Sequence, residues 1–262
     1  MPPPETMLME NAPPAPAFSF KRGTVGCLLV HGFGDTAALM EPMAVYLREQ
    51  GITTTSVTLP GHGTSLHDFA LISSQKLIGT VEREFAEMKE ACGSVVVVGF
   101  SMGGLLAIHL ATLRDVEGLV TICTPVFPRG GVLSEHVLQR AARFGALVGA
   151  NIPKFGITSL SDKTLRSYLN GYNKYPSRSI LCLLDLMKLT RPILKRVTAP
   201  LLVVHSQRDD VIWRESGNYI FRSVASAEKR YIVLENSRHK APLDRDRCVL
   251  FEEVTNFCLS RA

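Results

Sequence analysis

The sequence predicts one α/β domain with a mostly parallel sheet flanked by helices, and three observations carry this prediction. Short runs rich in Val, Ile and Leu alternate with longer stretches of helical spacing, as crossover helices between parallel strands require. Residues 95–98 are four consecutive valines, a pattern typical of a strand buried on both faces. A chain of 262 residues with 46% hydrophobic content can also bury one sizeable core.

Strand and helix patterns alternate regularly in the first half of the chain, with glycine or proline at most boundaries. The predicted strands cover residues 18–20, 25–30, 52–59, 95–98 and 116–123. The predicted helices cover residues 37–50, the stretch from Ser73 or Ser74 to Ala91, and residues 105–113. This spacing favours a sheet wound with right-handed crossovers.

The alternation stops between residues 126 and 197, where apolar side chains recur at helical spacing and no strand pattern of similar quality occurs. We therefore expect a helical insertion, or cap, over residues 126–197. The sheet pattern returns with strands over residues 200–205 and 230–234 and helices over 215–223 and 244–259. The core would then comprise residues 18–125 and 198–262, after a Pro-rich, disordered tail over residues 1–17.

Composition excludes several classes of function. The net charge of +5 comes from 29 basic and 24 acidic residues that are interleaved, so no nucleic-acid stripe is indicated. Six cysteines lie far apart without a CxxC pair, so neither a zinc site nor a disulfide framework is predicted, and we expect no metal and no cofactor. No run of 18 apolar residues and no signal-peptide pattern occurs, and we expect a cytoplasmic protein.

A Gly-x-Ser-x-Gly pentapeptide follows the valine strand and precedes a predicted helix. A serine in such a tight turn has a strained backbone and needs neighbours without side chains, a need that Gly99 and Gly103 meet. Ser101 is therefore the candidate nucleophile. Its alternative role is that of a helix cap.

A serine nucleophile needs a base and an orienting acid, which in a parallel sheet should follow other strands. Among seven histidines, His239 follows the last predicted strand by a short loop, whereas His31 and His62 border glycine loops and suit structural hydrogen bonds. Asp209 and Asp210 both follow an earlier strand. We choose Asp209, because Ile212 would tie its loop back to the core.

An oxyanion requires two preorganised N–H donors. The first expected donor is the amide of Met102, directly after the nucleophile and at a helix N-terminus, where the helix dipole favours negative charge. The second is the amide of Phe33, in the loop after the strand over residues 25–30.

These motifs together resemble the α/β-hydrolase superfamily, and more closely its small bacterial carboxylesterases and monoacylglycerol lipases. The similar segments are His31-Gly32-Phe33-Gly34, Leu59-Pro60-Gly61-His62-Gly63, Gly99-Phe100-Ser101-Met102-Gly103-Gly104, Asp209-Asp210-Val211-Ile212 and Ser237-Arg238-His239. The resemblance implies the α/β-hydrolase fold with a helical cap inserted after the sixth strand. It also implies a triad of Ser101, Asp209 and His239 with oxyanion amides at Phe33 and Met102. Arg238 and Lys240 depart from the small or apolar residues usual at these two positions.

The predicted function is hydrolysis of carboxylic esters by a serine hydrolase, with monoacylglycerols or short-to-medium-chain acyl esters as substrates. The expected partner is a small-molecule acyl ester, with transient contact with lipid surfaces allowed, and the chain is expected to be a monomer or a homodimer. The alternatives are a thioesterase or C–C bond hydrolase using the same triad, and a non-catalytic ligand-binding protein. The expected acyl wall comprises Leu133, Val137, Phe144, Ile152, Ile180, Leu184 and Met187.

Overall fold

The computed structural model describes residues 25–153, 160–161, 164–169 and 171–262, and only the backbone at residues 132, 133 and 166. The predicted tail over residues 1–17 and the predicted strand over residues 18–20 lie outside the described part. Secondary-structure elements are numbered in chain order over the described residues.

Six parallel strands form the central sheet in the order β2-β1-β3-β4-β7-β8. These strands are β1 (Val25–Val30), β2 (Thr53–Val57), β3 (Ser94–Phe100), β4 (Gly118–Ile122), β7 (Leu201–Ser206) and β8 (Lys229–Leu234). The chain passes from β1 to β2 on one side and then returns to β3 on the other. The carboxyl ends of β1 and β3 therefore flank a topological switch point, where ligands bind in open α/β sheets.

Helices cover both faces of the sheet. The helices of the core are α1 (Glu41–Glu49), α2 (Leu66–Ala70), α3 (Ser74–Ala91), α4 (Met102–Leu113), α7 (Ser216–Ser223) and α8 (Arg247–Leu259). The valines of β3 alternate between the two faces: Val95 and Val97 pack into one apolar cluster with α3 and α4, while Val96 and Val98 pack into the other with α1 and α8. This alternation buries every valine of the strand and explains why the run contains no polar residue.

The segment between β4 and β7 contains two long helices and a small sheet. The helices are α5 (Gly131–Leu147) and α6 (Ser177–Ile193), and the strands are β5 (Asn151–Pro153) and β6 (Lys174–Pro176), which pair antiparallel. The predicted helical patterns are present here, whereas the strand pair was not predicted. The pairing of β5 with β6 depends on residues more than 20 positions apart, so local periodicity cannot reveal it.

The α/β class and the mostly parallel sheet are confirmed. Strand β1 has the predicted bounds, Val25–Val30, and α3 begins after Ser73, whose hydroxyl accepts from the Lys76 amide as an N-cap. The strand that precedes the insertion is β4, the fourth among the described strands. No helix in the described ranges is long and apolar enough to cross a bilayer.

Candidate active site

Ser101 lies in a sharp turn between β3, which ends at Phe100, and α4, which begins at Met102. Its φ of 53° and ψ of −120° are strained for a residue with a side chain. A Cβ on Gly99 would stand 2.3 Å from the carbonyl oxygen of Gly103, and one on Gly103 would stand 2.1 Å from that of Val30. Both glycines are thus required for strand and helix to approach closely on either side of the serine.

The hydroxyl, an imidazole and a carboxylate form one chain of hydrogen bonds. The Oγ of Ser101 lies 3.1 Å from Nε2 of His239, and Nδ1 of His239 lies 2.8 Å from Oδ2 of Asp209. Because a carboxylate only accepts, Nδ1 carries the proton and donates it, which leaves Nε2 free to accept from the serine. His239 and Asp209 are 4% and 8% exposed, so bulk water competes little for these bonds.

Asp209 is held as an anion by its surroundings. Burial alone would oppose ionisation, but the charge and hydrogen bond of His239 and the donated amides of Val211 and Ile212 lower the pKa of Asp209 below its usual value. The side chain of Ile212 is buried in an apolar core cluster, as the sequence predicted for the residue that ties this loop to the core. Asp210 faces away and forms a half-exposed ion pair with Arg238 at 3.1 Å.

Of the two residues predicted to donate to the oxyanion, Met102 directly follows Ser101 and Phe33 lines the same cavity as Ser101. Met102 is the first residue of α4, so its N–H has no intrahelical acceptor. Phe33 follows β1 and lines the same cavity as Ser101, and within the described part of the chain no acceptor takes its N–H. Their donation to an anionic substrate oxygen remains a prediction.

A cavity of about 330 Å³ opens onto Ser101 and His239. Its wall is largely apolar and comes from the loop after β4, from α6 and from the loop after β7, with Phe127, Leu184, Met187 and Ile212 as examples. This volume falls within the range typical of small-molecule pockets, about 300–1,000 Å³. The site can therefore hold an apolar group next to the serine.

Three of the seven residues predicted for the acyl wall line the cavity. Ile180, Leu184 and Met187 of α6 line the cavity, as expected. Val137, Phe144 and Ile152 instead are exposed, at 68%, 69% and 38%, and the side chain of Leu133 lies outside the described residues. Helical spacing shows that an apolar face exists but not what that face contacts, and here the face of α5 points to solvent.

An ion pair in the cavity wall was not predicted. Lys240 donates to Asp35, with side-chain exposures of only 7% and 4%, and both residues line the cavity beside Ser101. Lys240 departs from the small or apolar residue that is usual at this position in related enzymes. No sequence pattern indicates its pairing with Asp35, which lies 205 positions away. Its charge and that of Arg238 are both compensated by carboxylates.

Three further histidines, His31, His62 and the partly buried His109, have structural partners. His31 donates from Nδ1 to the carbonyl of Gly32, and His62 lies equally close to the carbonyl of Pro60, as the glycine-loop positions predicted. His109 contacts the hydroxyl of Thr190. Burial lowers the pKa values of all three, to about 4 for His31 and His109, so they are neutral near pH 7.

Cys123 lies close enough to Asp209 and His239 for the three ligand atoms to fall within 4.8 Å of one another. Its thiol contacts the hydroxyl of Ser206 at 3.3 Å, and burial raises its pKa well above the usual value. A metal ion would require a Cys123 thiolate, which this environment disfavours. The hydrogen bonds of the serine, histidine and aspartate already account for the cluster.

A Ser-His-Asp chain at the carboxyl edge of a parallel sheet, with the serine in a strand-to-helix turn, defines an α/β-hydrolase. Comparison with known proteins agrees. The chain belongs to the family described as serine aminopeptidase, S33 (Hydrolase_4), whose model matches residues 24–246.

The chain is similar to two bacterial enzymes over nearly its whole length. It is 32% identical over 250 residues to a thermostable monoacylglycerol lipase of Bacillus sp. (strain H-257), covering 95% of this chain and 96% of that protein. It is 28% identical over 251 residues to a carboxylesterase of Bacillus subtilis (strain 168), covering 95% and 98%. With these relatives, the chain is a carboxylic ester hydrolase.

Solved structures support the same fold. A metagenome-derived lipolytic enzyme from a study of LipS and LipT superimposes with a TM-score of 0.80 at 24% identity, covering 92% of this chain and 96% of that one. A monoglyceride lipase variant from Saccharomyces cerevisiae gives 0.76 at 15% identity, covering 94% and 88%.

Proposed function

We propose that the protein hydrolyses monoacylglycerols or short-to-medium-chain acyl esters through a covalent acyl-enzyme, with Ser101, His239 and Asp209 as the triad. The observation that carries the proposal is the continuous hydrogen-bond chain Ser101–His239–Asp209 at the mouth of an apolar cavity. The name of the Bacillus sp. relative, a monoacylglycerol lipase, supports this substrate class.

In the first half-reaction, Nε2 of His239 takes the Ser101 proton while Oγ bonds to the ester carbonyl carbon. The amides of Phe33 and Met102 stabilise the negative oxygen that develops. The tetrahedral intermediate collapses as His239 returns the proton to the leaving alcohol oxygen. Water, deprotonated by His239, then attacks the acyl-enzyme, and the acid leaves as Ser101 regains its proton. Asp209 holds the imidazole in the required tautomer throughout.

Residues 126–197 act in this proposal as a cap that selects the acyl chain. The supporting contacts come from α6, whose Ile180, Leu183, Leu184 and Met187 face the cavity. Each methylene buried against such a wall contributes about 0.8 kcal/mol, so kcat/KM should rise over the first carbons and fall where the cavity ends. The cytoplasmic location and the monomer or homodimer state stay predictions.

The test combines covalent labelling with a substrate panel. A fluorophosphonate should modify Ser101 stoichiometrically, and Ser101→Ala should neither be labelled nor hydrolyse any ester. Ser216→Ala, at a buried serine outside the cavity, is a matched control that should keep labelling and activity. Labelling at another serine, or monoacylglycerols hydrolysed no better than triacylglycerols, contradicts the proposal.

One observation favours a second candidate, a thioesterase acting on phosphate-bearing acyl thioesters. A polar groove of about 820 Å³, bordered by Asp209 and sharing Arg129 with the apolar cavity, is lined by further arginines. Among these, Arg208, Arg214 and Arg245 are exposed and have no ion-pair partner among the described residues. Guanidinium groups bind phosphate well, and the thioesters of coenzyme A and of acyl carrier proteins carry phosphate groups.

The two candidates are separated by matched substrates with the same acyl chain. A thioesterase of this kind should hydrolyse the acyl-CoA faster than the p-nitrophenyl ester. The preference should be lost in the triple variant Arg208→Gln/Arg214→Gln/Arg245→Gln. An acyl-CoA turned over more slowly than the ester, with the triple variant changing neither rate, rejects the second candidate.

A further inference from the structure

The loop after β1 and the loop after β8 carry different parts of the reaction machinery. The first carries the Phe33 amide and the second carries His239. The ion pair of Asp35 with Lys240 joins these two loops and lines the cavity. Asp35 closes a turn by donating its amide to the Gly32 carbonyl at 3.3 Å, and Lys240 directly follows His239. The pair therefore joins the loop after β1, called the oxyanion loop below, to the loop after β8, called the base loop.

The pair lies close to the reacting atoms. The point where a Gly32 Cβ would stand is 3.0 Å from the Cβ of Ser101 and 3.1 Å from Oδ2 of Asp35. The Lys240 ammonium lies 5.5 Å from the Phe100 ring centroid, and that ring packs against His239 at 5.2 Å. The Asp35 carboxylate is thus near the serine and the Lys240 ammonium is near the imidazole, and both side chains are buried.

Charges in such a place act strongly on the reaction if they are not balanced. Without Lys240, the charge of Asp35 would oppose the negative oxygen held by Phe33 and Met102, and without Asp35 the charge of Lys240 would oppose the imidazolium of His239. A buried pair is costly to break because the remaining charge loses the opposite charge beside it. The balance of the two charges, rather than either charge alone, is what the site requires.

On the basis of the proposed function, we propose that Asp35 and Lys240 are positioning residues. Their ion pair holds the oxyanion loop against the base loop and keeps the wall beside Ser101 electrically neutral. Neither side chain exchanges a proton or a bond with the substrate.

Other titratable groups face the same region and set the background for a pH measurement. They are His205 at the end of β7, Asp209 in the next loop, Cys123 at the end of β4, His31 and His62 in the glycine loops, and Tyr175 of β6. All are present in every variant below, so differences between variants report on the pair.

The experiment measures pH profiles of kcat and kcat/KM on a neutral p-nitrophenyl ester for Lys240→Met, Asp35→Asn and the double variant. Each single variant should lose about 10-fold or more in kcat with a smaller change in KM. The acid limb should move to higher pH in Lys240→Met and to lower pH in Asp35→Asn, by about 0.5 pH unit or more. The double variant should recover the wild-type limb and most of kcat.

A second ion pair, formed by Arg238 beside His239, serves as the control. Arg238→Met, Asp210→Asn and their double variant remove a half-exposed ion pair between the loop after β7 and the loop after β8, and they should change kcat less than about threefold. Denaturation and fluorophosphonate labelling of each variant show whether it is folded with a competent Ser101.

Two results overturn the proposal: single variants whose acid limbs do not move in opposite directions, or a double variant as impaired as the worse single variant. If a single variant does not fold, the folded double variant decides alone, since a low kcat in it also overturns the proposal. Failure of the proposed function would instead appear as activity and labelling retained in Ser101→Ala.

Discussion

Two neighbouring carboxylates, Asp209 and Asp210, have different partners although they are adjacent in sequence. Asp209 faces His239 inside the protein, and Asp210 faces Arg238 at the surface. The amides of Val211 and Ile212 fold the loop around the Asp209 carboxylate and thereby turn Asp210 outwards. Only one of the two can orient the imidazole.

Asp209→Asn should therefore lower kcat by about 10⁴-fold with the fold intact, because an amide in place of the carboxylate favours the wrong imidazole tautomer. Asp210→Asn should stay within about threefold of wild type, because it removes only an exposed ion pair. Steady-state kinetics with one ester, alongside circular dichroism, measures both. A strongly reduced kcat in Asp210→Asn, together with a near-normal kcat in Asp209→Asn, would show that the acid is assigned to the wrong residue.

At the scale of single elements, the turn from β3 to α4 depends on backbone contacts that no side chain can enter. Gly103→Ala should destabilise the protein by about 3 kcal/mol or more, because its Cβ would meet the Val30 carbonyl oxygen at 2.1 Å. Gly79→Ala is the matched control. Position 79 lies within α3 with no atom within 4 Å of a Cβ, so alanine there should stabilise by about 1 kcal/mol.

Chemical denaturation of the two variants checks this prediction. Opposite changes in the free energy of unfolding are expected. A Gly103→Ala protein as stable as wild type would mean that β1 and α4 can separate without cost.

Helix α6 contributes to both the cavity and the core, and this dual role decides how its function can be tested. Leu184 and Met187 line the cavity and also belong to the apolar cluster on one face of the sheet. Excision of residues 126–197 would therefore expose core surface, and a point change inside the cavity is the sharper experiment.

Ile180→Trp should shorten the accepted acyl chain by filling the cavity. We expect kcat/KM for medium-chain p-nitrophenyl esters to fall about 10-fold or more and that for the acetyl ester to change little. Leu189→Trp, on the same helix at a side chain 51% exposed, is the control and should leave the chain-length profile unchanged. Equal losses at all chain lengths for Ile180→Trp would contradict a selective acyl wall.

For the whole molecule, stability should depend on pH through histidines that are buried in the neutral form. Burial lowers the pKa of His31 to about 4, whereas an unfolded chain has a value near 6.5. Between these values the unfolded chain binds a proton that the folded chain does not. The free energy of unfolding should thus fall as pH is lowered from about 6.5 towards 4, by up to about 1.4 kcal/mol per pH unit for this residue.

Urea denaturation at pH 7 and pH 5 measures the effect. His31→Asn should weaken the loss of stability between these two pH values, although it lowers stability overall. His136→Gln, at an exposed position, should leave the pH dependence as in wild type. An unchanged slope in His31→Asn would show that other groups cause the loss.

Local sequence patterns were sufficient to predict where the strands lie along the chain and where the turn at Ser101 occurs. The valine run of β3, the paired glycines around Ser101 and the Ser73 cap of α3 act through neighbours in sequence, so their patterns are readable without a partner. His239 and Asp209 were also within reach, because parallel strands bring their carboxyl ends to one edge and each residue follows such a strand.

Tertiary structure alone decided what depends on distant contacts. Three features depend on segments that are far apart in sequence, and no local pattern in either segment predicts them. They are the pairing of β5 with β6, the exposure of the apolar face of α5 and the ion pair of Asp35 with Lys240. The periodicity of apolar residues predicts that a helix has an apolar face, and a lysine in the sequence shows that a positive charge is present. Which surface covers that face, and which carboxylate meets that charge, is set by packing, because long-range contacts form only when the whole chain is folded.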